Sequence, residues 1–292
     1  MTPPFTAGPA PTDDNLLAID DLIVEYPGKG LFAKPIRILH GVSLQIARGE
    51  TLGLVGESGS GKTTLGRAVL GLAPVTGGTV TFDGEDVSHA SRRQRRALSQ
   101  KLQVVFQDPY TSLNPSLTVG SILTEPLGVQ GIFGREARQR VQELLDRVNL
   151  PRDAMGRLPR EFSGGQRQRV AIARALALEP QLIVCDEPVS ALDLSTQARV
   201  LDLLLEIQEN TGVSYLFVSH DLDVVRHVSH RVAVMYKGEL VEQGDARQVT
   251  QEPRHAYTQR LLLSSPVPDP DRQAARREAR REHAKRYDTA AA

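Results

Sequence analysis

From Leu16 onward, apolar and polar residues alternate with a period of two. Leu22, Val24 and Tyr26 fall on one face of their run, and Val42, Leu44 and Ile46 alternate with Ser43 and Gln45, so both runs are expected to be strands. Thr51–Val55 is a short apolar run that stops at Gly56, which suits a buried strand. A hairpin is expected over residues 79–86, with Asp83-Gly84 as its turn. Residues 91–100 (SRRQRRALSQ) are expected to form a basic, solvated surface. Between about 116 and 160 the period becomes helical: Val141, Leu144, Leu145 and Val148 stand at i, i+3, i+4 and i+7, with Arg and Glu opposite. Strand-like runs return at 181–185, 213–219 and 231–236, with helical signals between the first two. Strands alternating with helices predict a parallel sheet covered on both faces. The reading is one α/β core interrupted by a mainly helical insertion.

Composition narrows this picture. The chain has 292 residues, 40% of them hydrophobic, with 35 basic against 35 acidic side chains. A zero formal charge lacks the basic excess typical of nucleic-acid binders. One cysteine, Cys185, excludes an internal disulfide or a multi-thiolate metal site within the chain, and a reducing compartment is expected. No run reaches the ~18 apolar residues of a spanning helix, and the Pro-rich start lacks the basic and apolar regions of a secretory signal. Residues 1–15 are expected to be a disordered tail, 16–268 the folded domain, and 269–292 a charged tail.

Gly56-Glu57-Ser58-Gly59-Ser60-Gly61-Lys62-Thr63 fits the pattern G-x-x-x-x-G-K-[ST] between an expected strand and an expected helix. Glycines let backbone N–H groups curl around phosphates, and a helix N-terminus favours their charge. Lys62 is expected to reach the β- and γ-phosphates and the Thr63 hydroxyl to ligate Mg²⁺. Further along, the strand Leu182-Ile183-Val184-Cys185 ends in Asp186-Glu187. Adjacent carboxylates at the end of a buried strand are costly unless they meet a cation or a polar site. Asp186 suits a Mg²⁺ contact and Glu187 the polarisation of an attacking water, although Asp-Glu-Pro is also turn chemistry. Ser163-Gly164-Gly165-Gln166 opens another expected helix, with Ser163 as N-cap, and reads either as a second anion site or as an ordinary capped helix.

GESGSGKTT, FSGGQRQR, LIVCDEP and VSHD, in this order, resemble the nucleotide-binding subunits of ATP-binding cassette (ABC) transporters, over about Leu17–Pro268. The resemblance implies an α/β P-loop fold: a RecA-like core, an antiparallel β subdomain, and a helical subdomain at about 108–170. It also implies ATP and Mg²⁺ as ligands and a head-to-tail dimer. In that dimer ATP lies between Gly56–Thr64 of one subunit and Ser163–Gln166 of the other. Carried over by motif, Gln107 approaches Mg²⁺ and the attacking water, His220 meets the γ-phosphate, Asp193 lies in a loop at the dimer interface, and Tyr26 stacks on adenine or is a plain strand aromatic. Phe162 replaces a more frequent leucine.

Gln107-Asp108-Pro109-Tyr110-Thr111-Ser112-Leu113-Asn114-Pro115 and His255-Ala256-Tyr257-Thr258-Gln259-Arg260-Leu261-Leu262 resemble segments of oligopeptide/dipeptide importer ATPases, with Ala256 where proline is usual. Some such subunits carry a cysteine cluster for an iron–sulfur centre; with Cys185 alone, this chain does not. The implied partners are two membrane permease subunits, a second ATPase that is a paralogue or second copy, and indirectly an extracytoplasmic substrate-binding protein. No nucleic acid is expected, and the implied location is peripheral, on the cytoplasmic face of the membrane. Residues Tyr110–Pro115 are expected to line the groove for a permease coupling helix, so that Leu113→Arg would spare ATP binding and abolish transport. Related ATPases of nickel, glutathione or phosphonate systems, and non-transport ABC ATPases, are the rival readings.

Overall fold

The computed structural model describes residues 15–28, 30 and 34–264; both expected tails lie outside these residues except for Asn15, which is already strand. β1 (Asn15–Tyr26) and β2 (Ile36–Ala47) pair antiparallel and bury the period-two positions Leu22, Val24, Val42, Leu44 and Ile46. β3 (Thr51–Val55) is buried at every residue and leads into α1 (Lys62–Val69). β4 (Val75–Phe82) turns into β5 (Glu85–Asp86) through Asp83 and Gly84 at φ 53° and 81°, the left-handed pair that a tight hairpin needs. These outer strands form a four-stranded antiparallel sheet, ordered β2-β1-β4-β5.

Residues 92–101 are helical, as α2 (Arg92–Lys101), closed by reciprocal hydrogen bonds between Ser91 and Gln94 and burying none of its residues. β6 (Leu102–Val105) follows, then α3 (Pro109–Ser112), α4 (Val119–Val129), α5 (Gly134–Arg147) and α6 (Gly164–Leu176). The rest of the described chain is β7 (Leu182–Asp186), α7 (Leu194–Thr211), β8 (Ser214–Ser219), α8 (Leu222–Val228), β9 (Arg231–Tyr236), β10 (Glu239–Asp245), α9 (Ala246–Gln251) and α10 (Ala256–Ser264). The second sheet runs β10-β9-β3-β8-β7-β6, parallel except for β10. Its edge strand β10 escapes hydropathy because ELVEQGD is largely polar and half-buried.

Alternation within apparently continuous apolar runs assigns each side chain to one of two cores. Leu52, Leu54, Val184, Leu216, Val218 and Met235 pack toward the antiparallel sheet. Ile183, Cys185, Tyr215, Phe217, Val232 and Val234 pack toward the helices, where Val141, Leu144, Leu145 and Val148 join them. Burial pushes the Cys185 thiol far up, so it stays neutral and behaves as a small hydrophobe.

The structure corrects one expectation. Leu113 is 1% exposed and belongs to the helical core, so it is no groove residue. Asp108 caps the single turn of α3, which packs on α6 and turns Leu113 inward; Phe106, Tyr110 and Leu117 are the exposed apolar residues of this stretch. The parallel register also aligns strand ends: Val55 lies beside Ser219, Asp186 beside Val218, and Val105 beside Cys185. The loops that leave these strands therefore emerge together at one sheet edge, where open α/β sheets place ligands.

Candidate active site

After β3 the chain curls through Gly56–Gly61 at φ values that side chains rarely adopt, 157° at Gly56 and 107° at Gly61. A Cβ on Gly56 would stand 2.3 Å from the Met235 carbonyl oxygen, and one on Gly61 2.9 Å from Leu39 Cδ2. The loop thus presses on β9 and β2 with no room for a side chain at either glycine. The Gly238 N–H donates to the Ser60 carbonyl at 2.9 Å and holds the loop from behind. No side chain caps α1, so its first N–H groups stay available to an anion, which the helix dipole also favours. Lys62 is 5% exposed, and its Nζ donates to the carbonyl oxygens of Gly56 (2.7 Å) and Glu57 (3.0 Å). Burial lowers its pKa, while the carboxylates of Glu187, Asp186 and Glu57 oppose that shift. The Ser60 hydroxyl is buried without a hydrogen-bond partner in this loop. Ser58 and Gly59 form the exposed rim, and Thr64 is half-buried in the first turn of α1. A backbone cradle with a buried cation and an orphan hydroxyl fits a phosphate chain.

The Thr63 hydroxyl donates to Asp186 Oδ1 at 3.1 Å. Desolvation is the main cause that raises the Asp186 pKa, and the Thr63 hydrogen bond counters it. Thr63, Asp186 and Gln107 line one pocket, and the oxygens of Thr63 and Asp186 are paired there. Among the described residues no group of three or more His, Cys, Asp or Glu could hold a metal ion. The Thr63–Asp186 oxygen pair fits Mg²⁺, which binds through one or two protein oxygens together with substrate phosphates.

Glu187 directly follows, with φ 48°, and its N–H donates to the Val218 carbonyl at 3.0 Å. A non-glycine residue held in left-handed conformation stores local strain, a feature that concentrates at functional sites. The turn aims its carboxylate at two neighbours: Gln107 Nε2 donates to Oε2 at 3.1 Å, and His220 Nδ1 lies 3.2 Å from the same oxygen. Gln107, Glu187 and His220 come from three different strand ends and meet because the parallel register aligns them.

The remaining candidates make contacts of their own. Ser163 Oγ accepts the Gln166 N–H, and Gln166 Oε1 accepts the Ser163 N–H at 3.0 Å, a reciprocal cap at the start of α6. Gly164 and Gly165 face Leu192 and Thr196, so the signature packs against the start of α7. Asp193 caps α7; hydrogen bonds from the Ser195 hydroxyl and from the Thr196 hydroxyl and N–H hold its carboxyl at about 2. Tyr26 ends β1 opposite Ile36, half-buried against the core of the antiparallel sheet.

Sequence reasoning missed three residues. Ser190 Oγ accepts a second hydrogen bond from Gln107 Nε2 at 3.3 Å; its place between Glu187 and Asp193 was the available signal. Arg174 of α6 donates to the Ser112 carbonyl at 2.6 Å and lines, with Arg67, Phe106 and Asp186, a pocket of about 460 Å³ beside Thr63. Tyr257 reaches the phosphate loop from 200 residues away, with no local sequence signal.

Comparison with known proteins accords with this geometry. The ABC transporter family model matches residues 39–190, and the model of the oligopeptide/dipeptide transporter C-terminal region matches residues 241–290. A Brucella ovis protein named as a peptide import ATP-binding protein is 48% identical over 266 residues, 91% of this chain and 83% of the relative. The glutathione import ATP-binding protein GsiA of Escherichia coli K12 is 46% identical over 282 residues, and the match spans 95% of this chain but 45% of GsiA. Among solved structures, the dimeric post-hydrolysis state of the ATP-binding cassette MJ0796 with ADP and Pi superposes with a TM-score of 0.71 at 31% identity, covering 79% of this chain and 99% of that one. Clostridium perfringens cbiO1, part of the ABC transporter complex cbiONQ, gives 0.72 at 28% identity, with coverage of 82% and 92%. With the glycine-rich loop, the buried Lys62 and the Asp186–Glu187 carboxylates gathered at one sheet edge, the two family models and the relatives at 46–48% identity over most of the chain show that it belongs to the ABC transporter family, in its oligopeptide/dipeptide branch.

Proposed function

We propose that this chain is the ATP-hydrolysing subunit that powers peptide import through a membrane ABC transporter. The observation that carries the chemistry is the convergence of Gln107 and His220 on one oxygen of Glu187, beside the Thr63–Asp186 pair. Backbone amides of Gly56–Thr64 and the Lys62 ammonium hold the phosphates of ATP. Thr63, Asp186 and the Gln107 amide oxygen hold Mg²⁺, which when bound neutralises phosphate charge and polarises the phosphoryl group. Glu187 Oε2 is engaged by Gln107 and His220, which leaves Oε1 to take the proton of the attacking water. His220 meets the γ-phosphate, and Tyr26 supports the adenine.

Residues 16–268 act as the ATPase domain, with the helical subdomain near 108–170. A partner ATPase, either a paralogue or a second copy, supplies its Ser163–Gln166 equivalent across the interface that Asp193 lines. Binding of ATP then closes the dimer and hydrolysis releases it, which moves the attached permeases. The import names of the relatives support work with membrane permease subunits; the partners we propose are two such subunits and, indirectly, a substrate-binding protein outside the membrane. Among the described residues no helix is long and apolar enough to cross a membrane, which accords with peripheral attachment on the cytoplasmic face.

The test is Glu187→Gln. It should lower ATP hydrolysis by about 10²-fold or more while MgATP binding persists. A tagged Glu187→Gln chain with ATP, recovered from detergent-solubilised membranes, should bring two multi-span permeases and a related ATPase. Hydrolysis at the native rate would remove Glu187 from the chemistry, and recovery of soluble enzymes without a membrane subunit would remove the transport role.

A further inference from the structure

The C-terminal region reaches into the nucleotide site. Tyr257, on α10, is 2% exposed, and its phenol oxygen accepts the backbone N–H of Glu57 at 3.0 Å. The other side of the same residue is engaged too: the Glu57 carbonyl accepts Lys62 Nζ at 3.0 Å and the Ser60 N–H at 3.2 Å. Glu57 is therefore clamped through both of its backbone polar groups, its N–H by a C-terminal phenol and its carbonyl by Lys62, the lysine proposed to meet the phosphates.

The phenol is itself fixed from several directions. Its ring lies 4.3 Å from that of Tyr236, the last residue of β9. The turn that delivers α10 hangs on Glu242, a carboxylate only 5% exposed, which accepts the N–H groups of Arg254 (2.8 Å) and His255 (3.1 Å). His255 Nδ1 then accepts the Tyr257 N–H at 3.2 Å. A buried carboxylate holding two backbone donors is a rigid anchor, because breaking the contact would leave a buried charge and two donors unpaired, and removing the side chain would orphan both donors. Burial is the main cause that raises the Tyr257 pKa, so the phenol remains protonated and neutral.

We propose that Tyr257 is a positioning residue for ATP binding: its hydroxyl holds the Glu57 peptide so that the loop amides and Lys62 keep the conformation that receives phosphates. The C-terminal region is thereby part of the nucleotide site. This rests on the ATPase reading given above.

Tyr257→Phe keeps the ring, its stacking and its burial, and removes one oxygen. In the assembled native transporter complex, the KM for MgATP should rise about five- to tenfold with kcat within about twofold, since a loop donor loses its partner before any chemistry occurs. Binding of a fluorescent ATP analogue should weaken by the same factor at temperatures where the variant is fully folded. An unchanged KM, or a fall in kcat alone, would overturn the proposal, as would a lower melting temperature with native nucleotide affinity. Native complex that itself fails to bind or hydrolyse MgATP would instead remove the ATPase reading.

Discussion

Asp186, the Mg²⁺ contact proposed above, shows how a single residue would give up stability for chemistry. It sits beside a second carboxylate at the end of a buried strand, and burial raises its pKa. A carboxylate whose folded pKa lies above its unfolded value destabilises the fold once ionised, so the penalty grows as pH rises from the ordinary carboxylate range through the folded pKa. Asp186→Asn should therefore melt higher than the native chain at neutral pH, with the difference closing as pH falls below about 4. The same variant should lose about 10²- to 10³-fold in Mg²⁺-dependent hydrolysis. Asp193 has the opposite sign: its folded pKa of about 2 means that its capping contribution is present above the ordinary carboxylate value and lost as pH falls through 2. Gly56→Ala should weaken nucleotide binding strongly, because its Cβ would meet the Met235 carbonyl 2.3 Å away. Equilibrium binding of MgATP checks it.

At the scale of elements, the helical region stands on an ordinary apolar stripe. Leu145, fully buried on α5, should cost about 2–5 kcal/mol on truncation to alanine, read by thermal or denaturant unfolding. Leu113→Arg belongs to the same class, since it would bury a charge in the helical core and fail by unfolding. The permease groove is better tested at Tyr110, which is 56% exposed with the Arg167 guanidinium 4.2 Å over its ring. Tyr110→Asp should leave the melting temperature and MgATP binding near native while peptide uptake falls. Native uptake by that variant would remove the groove from the docking site.

For the whole molecule, the candidate residues fall into two groups. Lys62, Asp186, Glu187, Gln107 and His220 lie at one sheet edge, whereas Ser163–Gln166 open α6, cap it with their own hydrogen bonds and pack against the start of α7. In the dimer proposed above, the second group completes the site of the partner chain. Specific activity of the isolated chain should accordingly rise with its concentration. Mixing Lys62→Ala chains with Ser163→Glu chains should restore hydrolysis that neither has alone, because one of the two composite sites is then intact. Failure of that mixture, with both variants folded, would remove a second copy of this chain as the partner ATPase.

The sequence by itself determined the element types and the chemistry of each motif. A G-x-x-x-x-G-K-[ST] loop needs no neighbour to reveal that it curls around phosphates, and period-two or period-3.6 apolar spacing reports which face an element buries. Even so, the polar edge strand β10 and the unburied helix α2 were missed as elements, since periodicity detects only segments that bury a regular face. Tertiary structure decided what meets what. The parallel register brought residues 107, 187 and 220 within hydrogen-bond reach, the packing of α3 on α6 turned Leu113 into the core, and the anchored turn before α10 carried Tyr257 to Glu57 across 200 residues. Such contacts leave no local trace, because hydrogen bonds between distant segments are set by the path of the backbone and not by the residues that flank each partner.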